Sequence, residues 1–203
     1  MKAWEAFALP LGHTRKSVKD SIVHRCVLSR EILPKFILTF NAGFSPQNGA
    51  AWHPALCSPV RLRQSPKRHL ADPSLVAALL GANPVSLAND PKTLGLLFES
   101  LVLHDLKVYA SLSDARLFHY HDANGLEVDG IVQARDDSWM AVEVKLSTTQ
   151  VPDAAKNLLR LERVIASHGD RAPAAKCIVI RYGAPAHVTA EGVAVIPVDI
   201  LRA

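Results

Sequence analysis

Three side chains carry the chemistry open to this chain. They are Asp129, closing Gly125-Leu126-Glu127-Val128-Asp129, and the pair Glu143 and Lys145 in the triplet Glu143-Val144-Lys145. Both stretches are short and apolar, and alternation along a strand lets the three point to one face of a sheet. Carboxylate oxygens suit Mg²⁺, and a neighbouring lysine can orient or deprotonate a water or neutralise charge on a phosphate. This is the residue set of a metal-dependent phosphodiesterase. Glu99, at the edge of an apolar helical stripe, would complete it as a third acid lowered onto the sheet.

Strand parity states what the positioning requires. On one strand Val142, Val144 and Leu146 share a face, leaving Ala141, Glu143 and Lys145 on the other. On the preceding strand Val128, Gly130 and Val132 oppose Glu127, Asp129 and Ile131. A hairpin loop of three or five residues, or one bulge, would set Asp129 opposite Glu143 and Glu127 opposite Lys145. Carboxylates facing each other across a ladder repel, so a metal ion, the lysine or a shared proton must offset them. The plain alternative is an exposed Glu127–Lys145 ion pair with Asp129 and Glu143 solvated.

The elements that would hold these residues are legible from residue 61 onward. Asp72-Pro73 opens a short helix stopped by Gly81, and Asn89-Asp90-Pro91 caps a longer one running to about Ala110. Leu94, Leu97, Phe98, Leu101 and Val102 form its apolar stripe. Strands are expected over 116–121, 126–134 and 139–146, separated by turns at Asp122-Ala123-Asn124-Gly125 and Arg135-Asp136-Asp137-Ser138. Pro152-Asp153 opens a helix to about Ser167, followed by strands over 176–182 and 192–196 and a final helical turn from Pro197. The fold class is α/β, with a mixed β-sheet flanked by helices.

Residues 1–60 read differently. Prolines and glycines interrupt them and neither period of 2 nor 3.6 is sustained, so they form a poorly structured or non-family segment ahead of a domain at 61–203. A helix over 17–31 and a strand over 36–40 are the elements expected there, with loop over 41–59.

Composition bounds the rest. With 49% hydrophobic residues the chain can bury a core. A net charge of +4 permits nucleic-acid contact without requiring it. Cys26, Cys57 and Cys177 are odd in number and lack metal-ligand spacing, which fits a reduced, cytoplasmic setting. No secretory leader or membrane span is legible.

Other groups have plainer readings. Arg61, Arg63, Lys67, Arg68 and His69, and separately Lys156, Arg160 and Arg163, could meet phosphates but read as solvated surface. His119 and His121 lack a third ligand for Zn²⁺. Ser147-Thr148-Thr149 caps the following helix, and Trp139 covers the sheet edge.

Four stretches together carry a family resemblance. They are Gln64-Ser65-Pro66-Lys67-Arg68-His69-Leu70-Ala71-Asp72-Pro73-Ser74-Leu75, Gly95-Leu96-Leu97-Phe98-Glu99-Ser100, Leu126-Glu127-Val128-Asp129 and Val142-Glu143-Val144-Lys145. In this order they resemble the C-terminal domain of prokaryotic AAA-type ATP-binding proteins, domain of unknown function 4143, which is similar to the PD-(D/E)XK nucleases. The resemblance implies a restriction-endonuclease-like core of αβββαβ order. In it Glu99 is the helix acid, Asp129 the strand acid and Glu143 and Lys145 the E-x-K pair. It implies Mg²⁺ on Asp129 and Glu143, and DNA as substrate. Two positions depart from the family pattern, His121 after Tyr120 in place of an arginine and Gly130 in place of an aromatic. The family's ATPase module has a phosphate-cradling glycine-rich loop, and no such string occurs here, so no ATP site is expected. The chain reads as a detached C-terminal domain with a nuclease-like site. The alternative is a non-catalytic interaction or regulatory module that engages a separate protein partner.

Overall fold

A computed structural model of the chain describes residues 47–49, 52, 67–70 and 72–201. The helix expected over 17–31, the strand over 36–40, Cys26, Cys57, Arg61 and Arg63 lie outside the described residues.

Two short helices precede the main sheet. Helix α1 (Pro73–Leu79) starts where the Asp72 carboxylate accepts the N–H groups of Ser74 and Leu75, and ends before Gly81 at φ +61°. Helix α2 (Pro84–Asn89) was not expected from the sequence. It buries no side chain, so it leaves no apolar period, and its cap is the reciprocal Asn83–Ser86 box. Asp90 then caps α3 (Pro91–Leu112) through the Thr93 N–H.

The main sheet has six strands: β3 (Arg116–His121), β4 (Glu127–Gln133), β5 (Trp139–Lys145), β6 (Ala175–Ile180), β7 (His187–Val188) and β8 (Ala194–Pro197). Their spatial order is β3-β4-β5-β6-β8-β7. β3, β4 and β5 form an antiparallel meander, while β5, β6 and β8 run parallel and β7 closes the edge antiparallel. The parallel step from β5 to β6 needs a crossover, supplied by α4 (Val151–Ser167). A separate two-stranded sheet pairs β1 (Gln47–Gly49) with β2 (Lys67–His69).

Helices cover both faces. Ala154, Ala155, Leu158, Leu161 and Ile165 of α4 recur at helical spacing and pack on Phe118, Tyr120, Ile131, Ala141, Ile178 and Ile180. Phe98, Val102, Leu103 and Leu106 of α3 cover the other face, over Val142, Val144, Cys177 and Val179. Among the described residues no helix is long and apolar enough to cross a membrane.

Two aromatic residues are placed differently from expectation. Trp52, inside the stretch read as loop, is buried in the core and packs tilted at 42° against Trp139 with ring centroids 4.5 Å apart. Its backbone N–H donates to the His119 carbonyl at 2.8 Å and its indole to Gln133. Trp139 is likewise core rather than edge cover, with its indole donating to the Arg171 carbonyl at 2.9 Å.

Candidate functional site

The site forms where β4 and β5 part. Their ladder runs from Gln133–Trp139 to Gly130–Val142, joined by a five-residue loop over 134–138. Asp136 braces that loop through the Ser138 N–H, and Asp137 adopts φ +60°. This is the odd parity that brings Asp129 level with Glu143. Instead of pairing further, Asp129 Oδ2 accepts the buried Val144 N–H at 2.9 Å, so a side chain takes the place of a ladder carbonyl.

A bulge in β4 makes this geometry accessible. Phe118 pairs with Ile131 but Tyr120 pairs with Val128, leaving Asp129 and Gly130 together opposite His119. Bulges re-aim side chains in this way. The strict alternation read from the sequence therefore fails on β4, because Val128 joins Ile131 in the cluster under α4. Gly130 suits the spot: a Cβ there would lie 3.1 Å from Leu103 Cδ2 and 3.4 Å from Leu117 Cδ1.

All four residues expected at the site meet in one ionic network. Lys145 Nζ lies 3.2 Å from Asp129 Oδ2 and also contacts Glu143 Oε2. Glu99 reaches the network through Lys67, whose Nζ is 2.9 Å from Glu99 Oε1, 2.6 Å from Glu127 Oε1 and 3.5 Å from Asp129 Oδ1. Lys67, which the sequence reading assigned to a solvated surface, is thus part of the network. It sits on a three-residue strand, too short to show a period, so alternation gave it no face, although it falls within the first stretch that carries the family resemblance. Glu127 correspondingly pairs with Lys67 and not with Lys145, since the two strands have already separated at that level.

Burial and charge set the protonation states. Glu143 is only 2% exposed, and its Oε1 has no hydrogen-bond partner among the described residues. Burial first, then the charge of Asp129, push the Glu143 carboxyl up to about 7 against the pull of Lys145. Burial and Asp129 also raise Glu99. For Asp129 burial acts upward, but the ammoniums of Lys145 and Lys67 and the Val144 N–H outweigh it and hold the carboxyl below its usual range. Both lysines are opposed by burial yet raised by the surrounding carboxylates, so both stay charged. His69, on the same strand as Lys67, is pulled down to about 4 by burial and then by the charges of Lys67 and His119.

The remaining candidates do not converge on this point. Lys156 pairs with Asp153, Arg160 donates to the Asn124 carbonyl and Arg163 to that of Leu159, all on the exposed side of α4. His119 is buried at the bulge whereas His121 is exposed. Ser147 shares a capping box with Gln150, as its expected role requires. Cys177 is buried, its thiol pushed up to about 11, and it contacts Met140.

One family model matches the stretch of chain that carries these elements. The model for a domain of unknown function, DUF4143, covers residues 94–201. The chain belongs to the DUF4143 family. No curated protein and no solved structure matches it. The DUF4143 match contains Glu99, Asp129, Glu143 and Lys145 but begins after Lys67, which reaches the site from outside the matched stretch.

The donor set of the DUF4143 domain can be tested against a divalent cation. Among the described residues no group of three His, Cys, Asp or Glu side chains could hold a metal by itself. Mg²⁺ does not require one, since one or two carboxylates commonly suffice and waters complete the shell. Asp129 and Glu143 supply two hard donors, and the buried, unpartnered Glu143 Oε1 is an acceptor lacking a cation or a proton donor. The residues fit such an ion.

Proposed function

We propose that this DUF4143 domain is a PD-(D/E)XK-type, restriction-endonuclease-like phosphodiesterase that hydrolyses DNA with Mg²⁺ held by Asp129 and Glu143. The observation that carries this reading is Glu143 Oε1, an acceptor without a partner among the described residues, beside Asp129 and Lys145. A buried polar atom left unsatisfied costs about 1–3 kcal/mol, and binding a cation recovers that cost. When bound, Mg²⁺ supplies polarisation of a phosphoryl oxygen and a lowered pKa for a water. Lys145, charged at neutral pH, donates to the attacking water or to a phosphate oxygen and offsets the negative charge that builds there. Glu99 acts at one remove, holding Lys67 against Asp129. The resemblance to domains attached to AAA-type ATPases supports a cytoplasmic setting beside an ATP-driven partner.

Calorimetric titration with Mn²⁺ and Mg²⁺ tests the ion. Binding by the parent that is lost in Glu143→Ala is expected. Nicking of plasmid by the parent with Mn²⁺, lost in Lys145→Ala, is the expected reaction. A second reading, a non-catalytic module for a separate protein partner, draws on the Lys67 and Lys145 contacts, which already pair most of the acids. A parent that binds neither ion would leave that reading standing and remove the first.

A further inference from the structure

The cations at the β4–β5 fork are already spent. Lys67 and Lys145 both pair with carboxylates, and Glu99, Glu127, Asp129 and Glu143 outnumber them. A DNA strand brought to that acidic edge needs a positive group that no carboxylate has taken. Arg181 is placed to supply it. Lys145, the last residue of β5, pairs in parallel register with Ile180, the last residue of β6, so Arg181 follows directly at the same edge of the sheet. We propose that Arg181, held against the ring of Tyr182, contacts a DNA backbone phosphate next to the bond cleaved at the fork. The inference deepens the proposed hydrolytic reading and rests on it for the identity of the substrate.

Three observations carry it. Arg181 makes no hydrogen bond or ion pair among the described residues, and its buried Nε is left without a partner. Its guanidinium carbon lies 4.4 Å from the centroid of the Tyr182 ring, and Tyr182 is itself 53% exposed, so the stacked pair stands at the surface. A guanidinium held in this way loses little freedom on donating to an anion, and its planar fork matches two phosphate oxygens. The turn that follows is anchored as well. Gly183 adopts φ +115°, a Cβ on it would lie 3.2 Å from Thr148 Cγ2, and Ala184 packs on the cluster under α4. The chain leaving β6 is therefore seated against the turn leaving β5. Open α/β sheets bind their ligands outside the carboxyl ends of parallel strands, and this is where β5 and β6 both end.

The test is the salt dependence of binding to a short fluorescein-labelled DNA duplex, read by anisotropy on the full chain in EDTA and again in Ca²⁺. The parent is compared with Arg181→Met, Arg181→Lys and Arg135→Met. Arg135, paired with Asp114 at the closed end of the β4–β5 hairpin, serves as the control. Loss of one phosphate contact in Arg181→Met should weaken binding about tenfold at low salt and lower the slope of log affinity against log salt by about 0.9. The loss should be the same on two unrelated sequences, because a phosphate carries no base identity. Arg181→Lys should keep the slope and recover part of the affinity, and Arg135→Met should match the parent. If Arg181→Met fails to fold, Arg181→Gln takes its place under the same criteria. A parent that binds no DNA in either buffer, an unchanged slope in Arg181→Met, or an equal fall in Arg135→Met would overturn the inference. Arg181-dependent binding by a chain that neither binds Mn²⁺ nor nicks plasmid would uphold the contact while the proposed hydrolysis fails. Nicking with Mn²⁺ by a parent whose slope Arg181→Met leaves unchanged would sink the contact and keep the hydrolysis.

Discussion

Asp129 bridges the fork between two strands by accepting the backbone N–H of Val144 at 2.9 Å. The same carboxylate contacts Lys145, so it is at once a structural acceptor and the charge at the centre of the site. The two roles separate by substitution. Asp129→Ala leaves a buried N–H without a partner and should cost about 1–3 kcal/mol. Asp129→Asn keeps an acceptor and should be the milder change by denaturant midpoint, while still abolishing Mn²⁺ binding. Equal loss of stability in both would place the whole effect in the charge.

The raised Glu143 carboxyl makes a pH prediction whose sign can be worked out. A folded-state value of about 7 against an ordinary 4.5 means that the native state binds the proton more tightly. Its contribution to stability is full below pH 4.5 and disappears as pH rises toward 7 in metal-free buffer, by up to about 3 kcal/mol. His69, pulled down to about 4, acts in the opposite direction between there and the ordinary 6.5. The parent minus Glu143→Gln difference therefore isolates the carboxyl. It should shrink across this window, and saturating Mg²⁺ should flatten the dependence. A difference that is independent of pH would show that Glu143 is ionised throughout.

Trp52 ties a segment distant in sequence into the core, packing against Trp139 and bonding to His119 and Gln133. Trp52→Ala should destabilise the domain by about 3–5 kcal/mol, read as a shift in thermal or urea midpoint. A variant within 1 kcal/mol or so of the parent would show that the domain holds without this aromatic.

A Cβ on Gly130 would meet Leu103 Cδ2 at 3.1 Å, so that methyl must give by a few tenths of an ångström. Gly130→Ala should destabilise by about 1 kcal/mol or less, the crowding being offset in part by the lower entropy of the unfolded chain. Pairing it with Leu103→Ala should recover part of that loss in a double-mutant cycle, and strict additivity would contradict the contact.

Much of the scaffold was legible because its signals are local. Asp72-Pro73, Asp90-Pro91 and the Asp122–Gly125 turn each fix a boundary within a few residues, and β3 and β5 are short, largely buried segments bounded by such turns. Asp129, Glu143 and Lys145 could be assembled from that scaffold through the parity of one hairpin, and Glu99 from its place on the edge of the α3 stripe. What remained illegible depends on partners far along the chain. The Asp129–Gly130 bulge exists only in relation to β3, and it is this that moved Val128 to the opposite face from the one alternation assigns. The place of Lys67 is decided by carboxylates 32 or more positions away, and that of Trp52 by rings and carbonyls on β3 to β5. Strand β7, with two exposed residues, and α2, with none buried, carry no pattern to read.

The most direct test of the central claim is anomalous diffraction from crystals of the full chain soaked in Mn²⁺. A peak within coordination distance of both Asp129 and Glu143, absent from crystals of Glu143→Ala, is the predicted result. Full occupancy of that space by Lys145 alone, with no peak at saturating Mn²⁺, would contradict it.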